Sequence, residues 1–234
     1  MSVDQQLALG VALQDNARFD NFLAGDNQEL VTQLEALAVR HEPMQLFCSA
    51  GAGLGKTHLL QAVCHRAAQA GRSAIFIPLD QYGMLSPCLL DGLENVEVLC
   101  VDNVDRIAGD QDWEQALFGC YNALREHNGC MVFSARKPPA QLPFGLADLR
   151  SRLGWGAVYQ LQPLNDRQRL QALQMRARGR GFDLPEATGQ YLMKRLPRDM
   201  TALFGLLDRL DEASLSAQRK LTIPFVKTIL LARF

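Results

Sequence analysis

A lysine and a threonine set after a glycine-rich turn can hold the phosphates of a nucleotide together with a divalent cation. The stretch Ser49-Ala50-Gly51-Ala52-Gly53-Leu54-Gly55-Lys56-Thr57-His58 has that form, with three glycines in five residues. A packed core has no use for so much glycine. A backbone that must touch an anion has, because glycines allow the tight turn and let phosphate oxygens reach the N–H groups. The expected roles follow from chemistry. Gly51, Ala52, Gly53, Leu54, Gly55 and His58 cradle phosphate, Lys56 reaches the β- and γ-phosphates, and Thr57 ligates Mg²⁺. The motif G-x-x-x-x-G-K-[ST] carries glycine where this chain has Ala50.

Such a loop needs an acid at the end of another strand to orient the metal. Val96-Glu97-Val98-Leu99-Cys100-Val101-Asp102 supplies one, and Asp102 is expected to hold Mg²⁺ through water. The next residue is Asn103, where hydrolytic enzymes of this class place a carboxylate to polarise the attacking water. An amide cannot accept a proton at neutral pH, so intrinsic hydrolysis is expected to be slow. Asp105 is the nearby substitute and is expected to lie on the wrong side of a strand or turn.

These residues require elements to place them. Short apolar runs bounded by glycine or proline occur at Met44–Cys48, Ala74–Leu79, Val96–Val101, Cys130–Ser134 and Ala157–Leu161. Each has strand length and suits a sheet buried on both faces. Helical stretches separate them, at Lys56–Ala70, Asp112–His127 and Leu146–Leu153, and Asn27–Arg40 precedes the first strand. The alternation predicts an α/β fold, a five-stranded parallel sheet joined by right-handed crossovers. After Leu161 only helices are predicted: Asp166–Arg180, Glu186–Lys194, Asp199–Ser216 and Ile223–Leu231. Residues 1–18 read as an extended arm, 19–163 as the nucleotide-binding α/β domain and 164–234 as a small all-α domain.

Composition narrows the class. The 234 residues are 48% hydrophobic and 21% charged, ordinary for a globular chain. No apolar run is long enough for a membrane helix, and MSVDQQLALG lacks the basic start of a signal peptide. The six cysteines form no C-x-x-C pair and read as buried free thiols, and the four histidines have no metal-ligand spacing. A net charge of −1 gives no overall pull toward nucleic acid. The charge is uneven, with 13 Lys/Arg against 7 Asp/Glu in residues 164–234. Those arginines are either solvated helix faces or a basic surface for a phosphate or acidic partner.

The motifs in order resemble the DnaA-related AAA+ ATPase family. GLGKTHLLQAV resembles the family's phosphate loop, and FDNFLAGDNQEL (Phe19–Leu30) the start of its AAA+ module. ARKPPAQL (Ala135–Leu142) resembles the sensor 1 region, and LRSRLGWGAVYQLQP (Leu149–Pro163) the box that carries an arginine finger. LPRDMTALFGLLDRL resembles the sensor 2 helix, and KLTIPFVKTIL the end of the lid. The likeness covers about residues 19–231. No unit the size of a helix-turn-helix domain is expected after the lid, and a short arm with Gln6-Leu7-Ala8-Leu9 is expected in place of an N-terminal domain. That arrangement is similar to the Hda-like regulators of the family.

The resemblance implies a set of roles. Phe19 and Phe22 would close the adenine pocket over ADP or ATP with Mg²⁺. Arg152, with Arg150 two residues away, matches the arginine finger, which acts in trans on the ATP of the DnaA initiator. Arg198 matches sensor 2, and Ser134 or Arg136 stands at sensor 1. Gln6, Leu7 and Leu9 would dock on the DNA polymerase III sliding clamp (β subunit), bringing the chain to DNA indirectly. It further implies a cytoplasmic regulator, nucleoid-associated through the clamp, that prevents re-initiation of replication and can form homo-oligomers. A helicase-loader or motor ATPase and a nucleotide-gated DNA-binding module remain the alternatives.

Overall fold

A computed structural model describes residues 13–14, 17–195, 200–217 and 222–231. They form two compact units. The first comprises the described residues up to Asp20 together with Asn27–Leu161, and the second Asn21–Asp26 together with the residues from Gln162 onward.

The first unit is a parallel sheet between helices. Its elements are α1 (Gln28–Val39), β1 (Gln45–Ser49), α2 (Lys56–Gln69), β2 (Ala74–Pro78), β3 (Val98–Asp102), α3 (Gln111–Glu126), β4 (Cys130–Ala135), α4 (Ala147–Leu153) and β5 (Ala157–Gln160). The strand order is β2-β3-β4-β1-β5, all pairs parallel. Side chains alternate between the faces of each strand. Phe47, Leu99, Val101, Met131 and Phe133 pack with Leu117, Tyr121 and Leu124 of α3 and with Leu149 and Leu153 of α4. The other parity includes Cys48, Val98, Cys100, Val132 and Ser134, all fully buried, and α2 packs against β2, β3 and β4. Asp102 is two residues beyond Cys100, so the alternation turns its carboxylate toward α2.

The expectation of a sheet buried on both faces holds for β3 and β4 and fails for β5. β5 pairs only with β1, at the sheet edge, and Ala157, Val158 and Gln160 are exposed. An edge strand with one neighbour need not be apolar throughout. The cysteines also differ in one case: five are buried, but Cys88 is exposed in the connection between β2 and β3.

The second unit contains α5 (Asp166–Gly179), α6 (Glu186–Arg195), α7 (Met200–Ala217) and α8 (Ile223–Leu231). Asn165 caps α5 in a reciprocal capping box with Gln168. Gly189 of α6 lets α5 approach, since a Cβ there would collide with Leu170. Leu173, Leu184, Leu192, Leu203, Leu207, Leu210 and Val226 fill the core. Three of the arginines behind the positive balance of this region are paired with acids of the same unit: Arg169 with Asp166, Arg176 with Asp208, and Arg180 with Asp208 and Asp211. These three are ion-paired on helix faces, with Arg180 exposed, and do not form a free basic surface. No helix among the described residues is long and apolar enough to cross a membrane.

Candidate phosphate site and surface arginine

The glycine loop leaves β1 at Ser49 and enters α2 at Lys56. Gly53 and Gly55 have φ of 73° and 95°, the left-handed region where a Cβ is strained. Gly55 is the residue before the first turn of α2, so the helix begins directly from this conformation. Ala50, by contrast, is absent from the non-glycine residues with positive φ and is buried, its N–H bonded to the Ala135 carbonyl at 3.0 Å. Alanine therefore fits at this departure from the motif without strain.

Lys56 is 7% exposed. Its Nζ donates to the carbonyls of Ala50 at 2.9 Å and Gly51 at 3.0 Å. Burial pushes the Lys56 pKa below its ordinary value, while Asp102 and Asp105 pull it back up. An anion beside the ammonium would act in the same direction as those carboxylates, so the residue fits a phosphate. Asp105 accepts the Arg136 N–H at 3.2 Å and pairs with the Arg136 guanidinium at 4.0 Å.

Asp102 ends β3 and is 1% exposed. Thr57 Oγ1 donates to its Oδ2 at 2.6 Å, and Ser134 Oγ donates to its Oδ1. Burial raises the Asp102 pKa, and the hydroxyls of Ser134 and Thr57 and the charge of Lys56 oppose the rise. Thr57 and Asp102 are the expected metal pair, and the fold brings their oxygens together. Among the described residues no group of three or more His, Cys, Asp or Glu is arranged to hold a metal by itself. Mg²⁺ keeps several waters and takes phosphate oxygens as ligands, so a hydroxyl and one carboxylate are a sufficient protein contribution. Next to this pair, burial and the charge of Asp102 push the Cys48 thiol up to about 12, which leaves it inert as a nucleophile.

Asn103 has φ 60° and ψ 47°. Asparagine tolerates this left-handed conformation better than most residues. Its amide donates to Asp102 Oδ2 at 3.2 Å and to Asp80 Oδ1 at 3.3 Å. The position where a hydrolase keeps its second acid thus bridges two carboxylates by donation. Asp80 was not foreseen, although it follows β2 just as Asp102 ends β3, and the same strand-end reasoning applies to it. Of the two sensor 1 alternatives, Ser134 lies within this cluster. The Arg136 side chain is 60% exposed, and its guanidinium pairs with Asp105 at the longer 4.0 Å.

Gln14 and Arg18 lie against α2. Gln14 N–H donates to Gln61 Oε1 at 3.2 Å, His65 Nε2 lies 3.0 Å from the Gln14 carbonyl, and His58 Nε2 lies 2.9 Å from that of Arg18. Phe19 is buried and lines a cleft of about 510 Å³ with Arg18, Thr32, Glu35, His65 and Arg66. Phe22 belongs to the second unit. Gln6, Leu7, Leu9 and Arg198 lie outside the described residues.

Arg152 is in the last turn of α4. Its guanidinium carbon lies 4.1 Å from the centroid of Trp155, and that of Arg125 lies 4.2 Å from the same centroid. Trp155 is 55% exposed. Among the described residues no carboxylate pairs with Arg152 or Arg125. Arg150 is exposed and makes no such stack.

Both ends of α4 are held from elsewhere. At the start, Leu146 offers no side-chain cap. Glu114 of α3, 2% exposed, accepts instead from the N–H groups of Leu146 at 2.6 Å, Gly145 at 3.1 Å and Gly109 at 2.6 Å. At the end, Gln45 Nε2 donates to the carbonyls of Arg152 and Leu153 at 2.9 and 3.0 Å, and Tyr121 donates to Gln45 Oε1 at 2.7 Å. Sequence reasoning missed Glu114, Gln45, Tyr121 and Trp155. An isolated polar residue inside a helix or strand gives no periodic signal of what it caps.

A strand–glycine loop–helix unit with a buried lysine, joined through threonine to a strand-end aspartate, defines a P-loop nucleotide-binding domain carrying a helical second unit. Comparison with known proteins extends this. The model of the bacterial DnaA ATPase domain matches residues 13–79 and 89–160, and that of the Hda lid domain matches 166–230. The chain belongs to the DnaA-related AAA+ family and carries an Hda-type lid. Solved structures agree in fold. Domain III of the Thermotoga maritima replication initiation protein DnaA is 21% identical with a TM-score of 0.79, over 95% of this chain and 98% of that one. AMPPCP-bound DnaA from Aquifex aeolicus is 22% identical with a TM-score of 0.68, over 85% and 67%. The Thermotoga maritima RuvB branch migration motor is 16% identical with a TM-score of 0.66, over 92% and 73%.

Proposed function

We propose that the chain is a nucleotide-bound AAA+ regulator that lends Arg152 to the ATP of the DnaA initiator, promotes its hydrolysis and so prevents re-initiation of replication. The chain itself holds ADP or ATP with Mg²⁺. Lys56 and the loop Gly51–Gly55 take the phosphates, Thr57 and, through water, Asp102 take the metal, and Arg198 of the lid (164–234) reports nucleotide state. Bound there, Mg²⁺ neutralises phosphate charge. A relative in the same fold carrying AMPPCP supports the adenine nucleotide. The arm (1–18) docks on the sliding clamp of the replicative polymerase through Gln6, Leu7 and Leu9, two leucines entering an apolar pocket while the glutamine bonds its rim.

The observation that carries this reading is the contrast between the two sites. Arg152, itself half-buried, lies over a half-exposed indole with no carboxylate paired to it among the described residues. The chain's own acid cluster has an amide, Asn103, tied to two carboxylates where a base would act. A guanidinium is planar, permanently charged and suited to a γ-phosphate.

The test is hydrolysis of DnaA-bound ATP with clamp-loaded DNA. Arg152→Ala should lower the stimulated rate by about 10³-fold or more, the range arginine fingers supply. Gln6→Ala should remove stimulation at limiting protein while leaving nucleotide binding intact. Wild-type activity in both variants, or fast turnover by the chain alone, sinks the reading. Salt-sensitive duplex binding without the clamp would point instead to a DNA-binding module.

A further inference from the structure

The geometry points to Trp155 as a positioning residue for Arg152, a platform braced by Arg125, Tyr121 and Gln45; this rests on the trans role proposed for Arg152. The parts form a closed circuit. Gln45 of β1 ties down the carbonyls that end α4. Tyr121 of α3 donates to Gln45, and Arg125 follows one turn further along the same helix. Arg125 stacks on Trp155, and Trp155 carries Arg152. Gly156, the next residue, is pressed on the Gln45 backbone so closely that a Cβ would collide with its carbonyl. Backbone and side chain of Arg152 are therefore both referenced to the central sheet.

The choice of partner matters. An ion pair to a carboxylate would consume the N–H donors of the guanidinium. Stacking on a ring uses its face and leaves the in-plane N–H groups directed outward. Five donors at fixed angles then meet a phosphate without first breaking a salt bridge. Arg125 on the same ring adds a second positive charge beside the first, which favours an approaching anion and disfavours a neutral or cationic surface. The ring is 55% exposed, as a platform for a group acting on another molecule must be. The ligand class is the anionic phosphate chain of a nucleotide bound to a second AAA+ subunit. Trp155 does not touch it.

The experiment compares Trp155→Ala, Trp155→Phe and Arg152→Ala in clamp-dependent hydrolysis of DnaA-bound ATP. A second measurement follows the emission of Trp155 in a Trp113→Phe background. Trp155→Ala should lower the maximal stimulated rate about tenfold, the scale of loss expected from a loosened reactive group. The concentration giving half-maximal stimulation should stay within about twofold, because the platform orients the finger and does not supply docking energy. Trp155→Phe should retain at least about a third of the rate, since a smaller ring still carries a cation. In the fluorescence experiment, Arg152→Ala should alter Trp155 emission in the isolated chain. If Arg152→Ala retains full stimulation, the trans role itself fails. If Arg152→Ala is inactive while Trp155→Ala matches wild type, or if Trp155→Ala changes only the half-maximal concentration, the platform is refuted. An unchanged emission spectrum in Arg152→Ala also refutes it.

Discussion

Replacing Glu114 by alanine removes the remote cap of the helix that carries Arg152. The side chain is 2% exposed, and three backbone N–H groups, of Gly109, Gly145 and Leu146, depend on it. A hydrogen bond to a charged group contributes about 1.5–3 kcal/mol, and each donor left buried and unsatisfied costs about 1–3 kcal/mol. The three bonds are not additive, and water entering the vacated space recovers part of the loss. A net destabilisation of roughly 3–5 kcal/mol follows. Helix α4 has seven residues and no cap of its own, so it cannot persist by itself once its start is released. At about 2–4 °C per kcal/mol for a domain of this size, the midpoint of thermal unfolding should fall by roughly 6–20 °C. Glu114→Gln keeps one oxygen as acceptor and turns an N–H₂ toward a donor, so it should lose about 1.5–3 kcal/mol. The assay is urea unfolding followed by tryptophan emission. The two tryptophans, Trp113 and Trp155, both lie in the first unit, so the signal reports the unit that contains Glu114. A Glu114→Ala midpoint within about 0.5 kcal/mol of wild type, the scale of an ordinary surface change, would refute the capping role.

Three further outcomes are expected. Gly156→Ala forces a Cβ into the Gln45 carbonyl, and overpacking of that kind should cost about 2 kcal/mol or more in the same urea assay. Lys56→Ala removes the cation from the loop and should weaken fluorescent ADP binding by at least about 10²-fold; because burial opposes the ammonium charge, the nucleotide-free protein should keep its thermal midpoint. Asp102→Asn should abolish Mg²⁺-dependent nucleotide binding yet raise the midpoint of the nucleotide-free protein. The sign follows from the raised pKa. A carboxyl protonated more readily in the folded than in the unfolded state makes stability fall as pH rises through that window. The advantage of Asp102→Asn should be present at pH 7.5 and shrink toward pH 4, a comparison that thermal scans at the two pH values decide.

Much of the molecule was readable along the chain because it depends on local patterns. The glycine loop was legible since only a backbone approached by an anion, or bent through positive φ, needs Gly53 and Gly55. The five strands and the helices of both units followed from apolar period and from punctuation by glycine and proline, with boundaries within two or three residues. Asp102 was legible as an acid closing an apolar strand, and Arg152 was singled out only by the motif resemblance, with no signal of the ring it stacks on. Folding alone decided what depends on neighbours distant in sequence. Strand parity turned Asp102 and Ser134 toward Thr57 of α2, and the left-handed backbone at Asn103 let its amide reach Asp80. Chain crossing brought Glu114 to the start of α4 and Gln45 to its end. Exposure, too, is a property of the packed sheet: β5 reads as apolar as the other strands yet lies at the edge, and Trp155, two residues before it, is half-exposed beneath the Arg152 guanidinium.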